Sequence, residues 1–496
     1  MVKSDFQGWL NNMGYMNKSL TFIHEAILKG EVTPLELVKE ALELAKKDDN
    51  NAFEYICEKE ALEAVQHLDE SKKDSLLYGV PVVIKDNYST KDIPTTGSSN
   101  ILNGYVPIFS SEVVLRLEKE GAIVIGKSTM DELAMGGSGT TGHLGVTYNP
   151  WDKEKIYQVG GSSCGSAAAV SAGIVPYAIG SDTGDSVRKP ASLAGLVGFK
   201  PTWGRISRFG LFPFATSLDH VAYFTRNVYD SAYLLNVLAG HDYKDASSSF
   251  KEVEDYTAKL SDSVKGRKIA VIKEIVGSIS DKEVLKKFDE SLAFLKGQGA
   301  QVDYVSIDSK LLKAIYPTYI IISCAEATSN NANLDGIKFG NRIEGESFEE
   351  VMINTRTNGF SPLIKRRFVI GSFSLLRENQ DELFVRAQKC RRLIVNAFNK
   401  VFENYDCIYC PAAPSIAPLI KGTNNNLSDE YLIADNYLAF ANMGGYPSIT
   451  LPLGFEKNMP FGGNLSAKPF QESLLLNVAS VVEKGTGLAD LVVKED

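Results

Sequence analysis

The sequence predicts an α/β protein built on a mostly parallel sheet, and three observations carry that expectation. Two separate stretches, 78–128 and 266–307, each read as strand, helix and strand, the pattern of parallel strands joined by a crossover helix. The helices open on capping residues or close on glycine, so their ends are marked as well as their middles. Finally, 44% of the 496 residues are hydrophobic and 23% charged, a balance that supports a large folded core rather than disorder.

The elements follow in order. "VTPLELVKEALELAKK" offers Thr33 as N-cap, Pro34 at the first helical position and Glu36 closing a capping box, with Leu35, Val38, Leu42 and Ala45 as its apolar positions. It belongs to a helical N-terminal segment expected over about 1–75. "YGVPVVIKDN" is a short apolar run ending in Lys85 and Asp86, a buried strand that delivers charge at its C-terminal end. "SSEVVLRLEKEGAIVIGKS" reads as helix, stop at Gly121, and a second apolar strand. "GRKIAVIKE", "SDKEVLKKFDESLAFLKGQG" and "AQVDYVSI" repeat the grammar, with a capping box expected from Ser280 to Glu283. Between the blocks, the polar and turn-rich stretch at about 241–267 is expected to run over the surface.

Composition excludes several functions. A net charge of −9 argues against holding nucleic acid through a broad basic surface of its own. No apolar run reaches the length of a membrane span, and the first residues lack the apolar region of a secretory signal. A cytoplasmic protein is expected, or one of an organellar matrix if a transit peptide has been removed. Cys407 and Cys410 form a lone CxxC with no second pair or histidine cluster, so they read as small residues of a buried strand and no metal site is expected.

The chemistry concentrates in "VGGSSCGSAAAVSAGIVPYAIGSDTGDSVRKP". A residue that attacks a carbonyl needs an exposed side chain on a tight turn, with backbone N–H groups free to hold the oxyanion, and glycines permit both. The apolar run here is expected to break at Gly180 and place Ser186 beyond it, with the amides of Thr183, Gly184, Asp185 and Ser186 as donors. A phosphate-cradling loop is the competing reading, but neither GxxxxGK[ST] nor GxGxxG is present in the stretch. Serine needs a base, and the nearby histidines, His143 and His220, sit in unremarkable loop contexts. Lys85, leaving a buried strand, is the better candidate, because burial favours the neutral amine. A plain ion pair with Asp86 is its structural alternative.

Together these motifs resemble the amidase signature family, whose members hydrolyse amides with a Ser, cis-Ser, Lys triad. The resemblance runs across most of the chain and implies that Lys85 in "VIKDN" is the base, Ser162 in "GGSS" the bridging cis-serine and Ser186 in "GSDTGDS" the nucleophile. It also implies one domain over 1–496, with a mixed, mostly parallel central sheet covered by helices on both faces. No cofactor is implied for the chain itself.

Four further stretches, "TMDELAMG", "CAEATSNNANLDGIKFG", "IKRRFVIGSF" and "ANMGGYPSITLPLGF", are similar to the glutamine-hydrolysing members that serve tRNA-dependent amidotransferases. That likeness implies release of ammonia from glutamine for the conversion of Glu-tRNA(Gln) or Asp-tRNA(Asn). ATP, Mg and the tRNA would be held mainly by a tRNA-binding partner subunit, with a small adaptor subunit beside it. It also points to Asp435 for the α-ammonium of glutamine, Arg366 or Arg367 for its α-carboxylate, with Arg367 favoured, and Tyr319 as a pocket wall. The chain departs from the family pattern at Cys164, Asp185, Lys189, Thr140, Thr141 and residues 462–467. A carboxylate at 185 would oppose an oxyanion beside Ser186, so Lys189, one turn on, is expected to pair with it. Two other readings remain: a stand-alone amidase for another small amide, and a noncatalytic scaffold subunit.

Overall fold

The structure, a computed structural model, describes residues 14–261, 263–421 and 429–493. Its strands are β1 (Phe53–Ile56), β2 (Pro81–Lys85), β3 (Ile123–Ser128), β4 (Ala178–Asp182), β5 (Val197–Lys200), β6 (His220–Thr225), β7 (Lys268–Ile272), β8 (Gln301–Val305), β9 (Cys407–Pro411), β10 (Ser448–Glu456) and β11 (Met459–Ala467). All eleven form one sheet in the order β1-β3-β2-β4-β6-β5-β10-β11-β9-β7-β8.

The sheet is mixed, but it is not mostly parallel. Both strand–helix–strand blocks pair in parallel as their grammar requires, β2 with β3 and β7 with β8, and β4 and β9 extend them. The other six pairings are antiparallel. The reason lies in short connections: β10 and β11 form a hairpin across residues 457–458, and a loop rather than a crossover helix returns β5 to β6. Every residue of β2 to β6, β9 and β11 is buried. Successive side chains point to opposite faces, so burial throughout means that helices cover both faces.

Local signals hold with small shifts. The helix Pro34–Lys46 has Thr33 as N-cap and the complete capping box with Glu36, although Leu35 turns outward and Leu37 takes its place in the core. The helix Lys282–Gly297 is capped by Asp281 instead of Ser280, since Asp281 accepts from the amides of Glu283 and Val284. β4 runs through Gly180 to Asp182. Gly180 is needed there for space: a Cβ would meet Val187 Cγ2 at 2.6 Å. The described residues of 241–267 form neither helix nor strand. The first thirteen residues of the expected N-terminal helical segment lie outside the described residues, and the rest of it also contributes β1.

A second apolar cluster lies beside the sheet. It is built around the helix Ser309–Asn330, which packs against the helices Pro362–Leu375 and Arg386–Phe402. This layer forms one wall of the site described next.

Candidate active site

β2 and β4 run parallel and end side by side, so Lys85, the last residue of β2, reaches Ser181 near the end of β4. Facing both is the segment around Ser162, whose peptide bond with Gly161 is cis. The helix that follows, Cys164–Ser171, is wholly buried. Its small residues let it approach closely, and a Cβ on Gly165 would lie 2.3 Å from the Ala52 carbonyl. This close packing is why the stretch is rich in glycine, alanine and serine.

Lys85 is fully buried and has no carboxylate partner among the described residues. The Asp86 ion pair considered as its alternative forms with Lys127 instead, at 3.5 Å. Around the Lys85 Nζ stand Ser162 Oγ at 2.8 Å, Ser163 Oγ at 2.9 Å and Ser181 Oγ at 3.0 Å. Burial pulls the amine down to about 7 from its ordinary value, against a weaker pull from Cys164 and Asp131. Near neutral pH a large fraction is therefore the free amine.

Ser186 lies in the turn between β4 and the helix Arg188–Ala194, next to the serine pair, where the Ser163 amide donates to the Ser186 carbonyl at 3.2 Å. The turn is held by a buried clamp. Arg188 donates from Nη2 and Nε to Asp182 at 2.8 and 3.1 Å, and from Nη2 to the Gly184 carbonyl at 2.7 Å. Asn442 adds a bond to each partner. Despite its burial, Asp182 is held well below the usual carboxylate range by Arg188. Among the described residues nothing accepts from the amides of Thr183, Gly184, Asp185 or Ser186. The Thr183 hydroxyl is committed to Asp219 at 2.7 Å.

Beside this turn opens a cavity of about 550 Å³. Gly184, Asp185, Tyr319, Arg366, Arg367 and Asp435 all line it, so the structure gathers every expected binding residue from four distant segments. Tyr319 presses on the turn, where a Cβ on Gly184 would lie 3.0 Å from its ring. Arg366 is exposed, whereas Arg367 is half-buried, and its Nε and Nη1 find no protein acceptor among the described residues. Lys189 is the surprise. Its Nζ is 2.7 Å from Asp435 Oδ1 and only 4.0 Å from Asp185 Oδ2, so its nearer partner is the carboxylate expected to bind substrate. Burial pushes Asp185 up to about 6, with Lys189 pulling the other way.

The histidines stay apart from this chemistry. His143 pairs with Glu54, and His220, which begins β6 rather than lying in a loop, sits 2.6 Å from the Leu218 carbonyl. Cys407 and Cys410 are buried in β9, and burial pushes the Cys410 thiol up to about 12. Sequence reasoning missed Ser163, Ser181 and the Asp182–Arg188–Asn442 clamp. The doubled serine of "GGSSCGS" was a usable signal for the first; no local pattern announces the clamp.

A buried lysine without a carboxylate partner among the described residues, touching Ser162 beside the turn that carries Ser186, fits a serine amide hydrolase. The model of the Amidase family matches residues 36–476, and the chain belongs to that family. It is 40% identical over 479 residues to the A subunit of glutamyl-tRNA(Gln) amidotransferase from Pediococcus pentosaceus, covering 96% of this chain and 98% of that one. The same subunit of Streptococcus pneumoniae is 40% identical over 481 residues, covering 96% and 97%. The crystal structure of that subunit from Thermotoga maritima superposes with a TM-score of 0.75 at 35% identity, covering 91% of each chain.

Proposed function

We propose that this chain hydrolyses glutamine and supplies the ammonia to a tRNA-dependent amidotransferase. The observation that carries the reading is the Lys85 amine, kept partly neutral by burial and in contact with Ser162, behind a turn whose Gly184 and Asp185 line a cavity that also holds Arg367 and Asp435. The likeness over nearly the whole chain to proteins of glutamyl-tRNA(Gln) amidotransferases selects glutamine as the amide.

The hydrogen bonds orient the base. Ser163 spends its own hydrogen on the Ser181 carbonyl at 3.1 Å, so it accepts from Lys85, and Ser181 takes the second N–H. The lone pair of the neutral amine is left for the Ser162 hydroxyl. Lys85 then takes the Ser162 proton while Ser162 takes that of Ser186, and Ser186 Oγ attacks the carboxamide carbon. The free amides of Thr183 to Ser186 hold the oxyanion. The proton returns through Ser162 to the departing ammonia, and water then cleaves the acyl-serine ester. Arg367, with unpaired nitrogens, binds the α-carboxylate in preference to Arg366; Asp435 binds the α-ammonium, and Tyr319 bounds the pocket.

Around this site we read the chain as one domain working in the cytoplasm, or in an organellar matrix. It needs no cofactor of its own. ATP, Mg and tRNA belong to a partner subunit, while a small adaptor completes the assembly. Among the described residues no helix is long and apolar enough to cross a membrane. One observation favours the second reading, a stand-alone amidase for another small amide: Lys189 already neutralises Asp435.

Ser186→Ala in the assembly reconstituted with partner subunits and charged tRNA tests the proposal. Transamidation with glutamine is expected to vanish while transamidation with added ammonium persists. Loss of both, or of neither, contradicts it.

A further inference from the structure

The part of the cavity lined by Asp185, Lys189 and Asp435 carries an imbalance of charge. Asp185 and Asp435 supply two carboxylates, and Lys189 Nζ, 2.7 Å from one and 4.0 Å from the other, is the one cation paired with them among the described residues. Lys189 also donates to the Asp435 carbonyl at 3.1 Å. No other described group donates to either carboxylate. All three side chains line the cavity and keep 13 to 25% of their surface open, so the lysine can swing without unpacking the core. The trio therefore has room for one more cation, and the geometry says where: if Lys189 moves across to Asp185, Asp435 is freed and each carboxylate holds one ammonium.

We propose that Lys189 is a resident counter-ion of Asp435 and the specificity-determining residue of this pocket. A substrate carrying an α-ammonium binds Asp435 only by displacing the lysine onto Asp185, whereas an amide without that group leaves the pair undisturbed. Lys189 thus lowers the preference for amino-acid amides, and Asp185 limits that cost by receiving the displaced amine. It acts through Asp435 and does not touch the reacting atoms. The inference rests on the reading of Asp435 as the ammonium site.

The experiment measures kcat and KM of the full chain, in the assembly that supports turnover, for glutamine and for glutaric acid monoamide, which lacks the α-ammonium. Lys189→Gln is expected to lower the glutamine KM about three- to tenfold, the usual size of coupling between neighbouring charges, and to leave the monoamide KM unchanged. Asp185→Asn is expected to raise the glutamine KM by a similar factor, and that penalty is expected to disappear when Lys189→Gln is also present. Asp435→Asn separates the two levels of the argument. If it weakens both substrates alike, Asp435 is not the ammonium site and the inference falls with that reading. If it weakens glutamine selectively while Lys189→Gln raises or leaves unchanged the glutamine KM, or the Asp185→Asn penalty persists without Lys189, the resident counter-ion alone is overturned.

Discussion

The floor and the wall of the site are built in different ways. The floor, formed by Lys85, Ser162, Ser163 and Ser181, is completely buried or nearly so and is assembled from the ends of β2 and β4 and one tightly packed loop. The wall, formed by Asp185, Lys189, Tyr319, Arg367 and Asp435, is partly exposed and drawn from segments that meet only in the folded chain. In the floor, backbone register fixes each contact, and a changed side chain has nowhere to go. In the wall, charges can exchange partners while the backbone stays in place.

The same difference explains what the sequence could tell. Lys85 was legible because an apolar run that ends in a lysine has one physical reading, a buried strand with a charged tip. The serines were legible because the glycine and alanine around them have no use on a solvated surface. Lys189 and Asp435 lie 246 positions apart, and no periodicity or cap connects them. The expected Lys189–Asp185 pair follows from helical spacing and is present at 4.0 Å, but the stronger partner comes from elsewhere in the chain. The sheet shows the matching failure: β2, β3, β7 and β8 were readable locally, whereas β5, β6 and β10 were not read as strands, and their antiparallel pairing depends on which strands become neighbours.

The largest effect is expected at the floor. Lys85→Ala is expected to lower kcat on the order of 10⁴-fold for any amide, because the residues of a nucleophilic unit fail together. Lys85→Arg should not restore it, since arginine stays charged. A loss confined to glutamine would place Lys85 in the wall instead.

The clamp behind the turn comes next. Arg188→Met leaves the Asp182 carboxylate buried without its cation, and breaking such a pair costs about 3–5 kcal/mol. Urea unfolding read by circular dichroism checks this, and an unchanged midpoint would mean that Asn442 and the Val187 amide suffice to hold Asp182.

A smaller effect concerns pH. With Lys85 as the proposed base, held at about 7 and working as the free amine, kcat/KM for glutamine should fall about tenfold per pH unit well below that value and level off above it. A profile flat from pH 5 to 8 would show that the base is another group. The smallest effect lies far from both regions. Thr33→Ala removes the capping box of the helix Pro34–Lys46 and should cost about 1 kcal/mol of stability with no change in rate.

In the proposed mechanism Ser186 carries the acyl group between the loss of ammonia and the arrival of water. Acid quenching during turnover of glutamine, followed by digestion and mass spectrometry of the peptides, tests it most directly. A glutamyl group esterified to Ser186 is expected, absent from Ser186→Ala, which should also release no ammonia. A glutamyl group on any other residue, or ammonia release by Ser186→Ala at the wild-type rate, would contradict it.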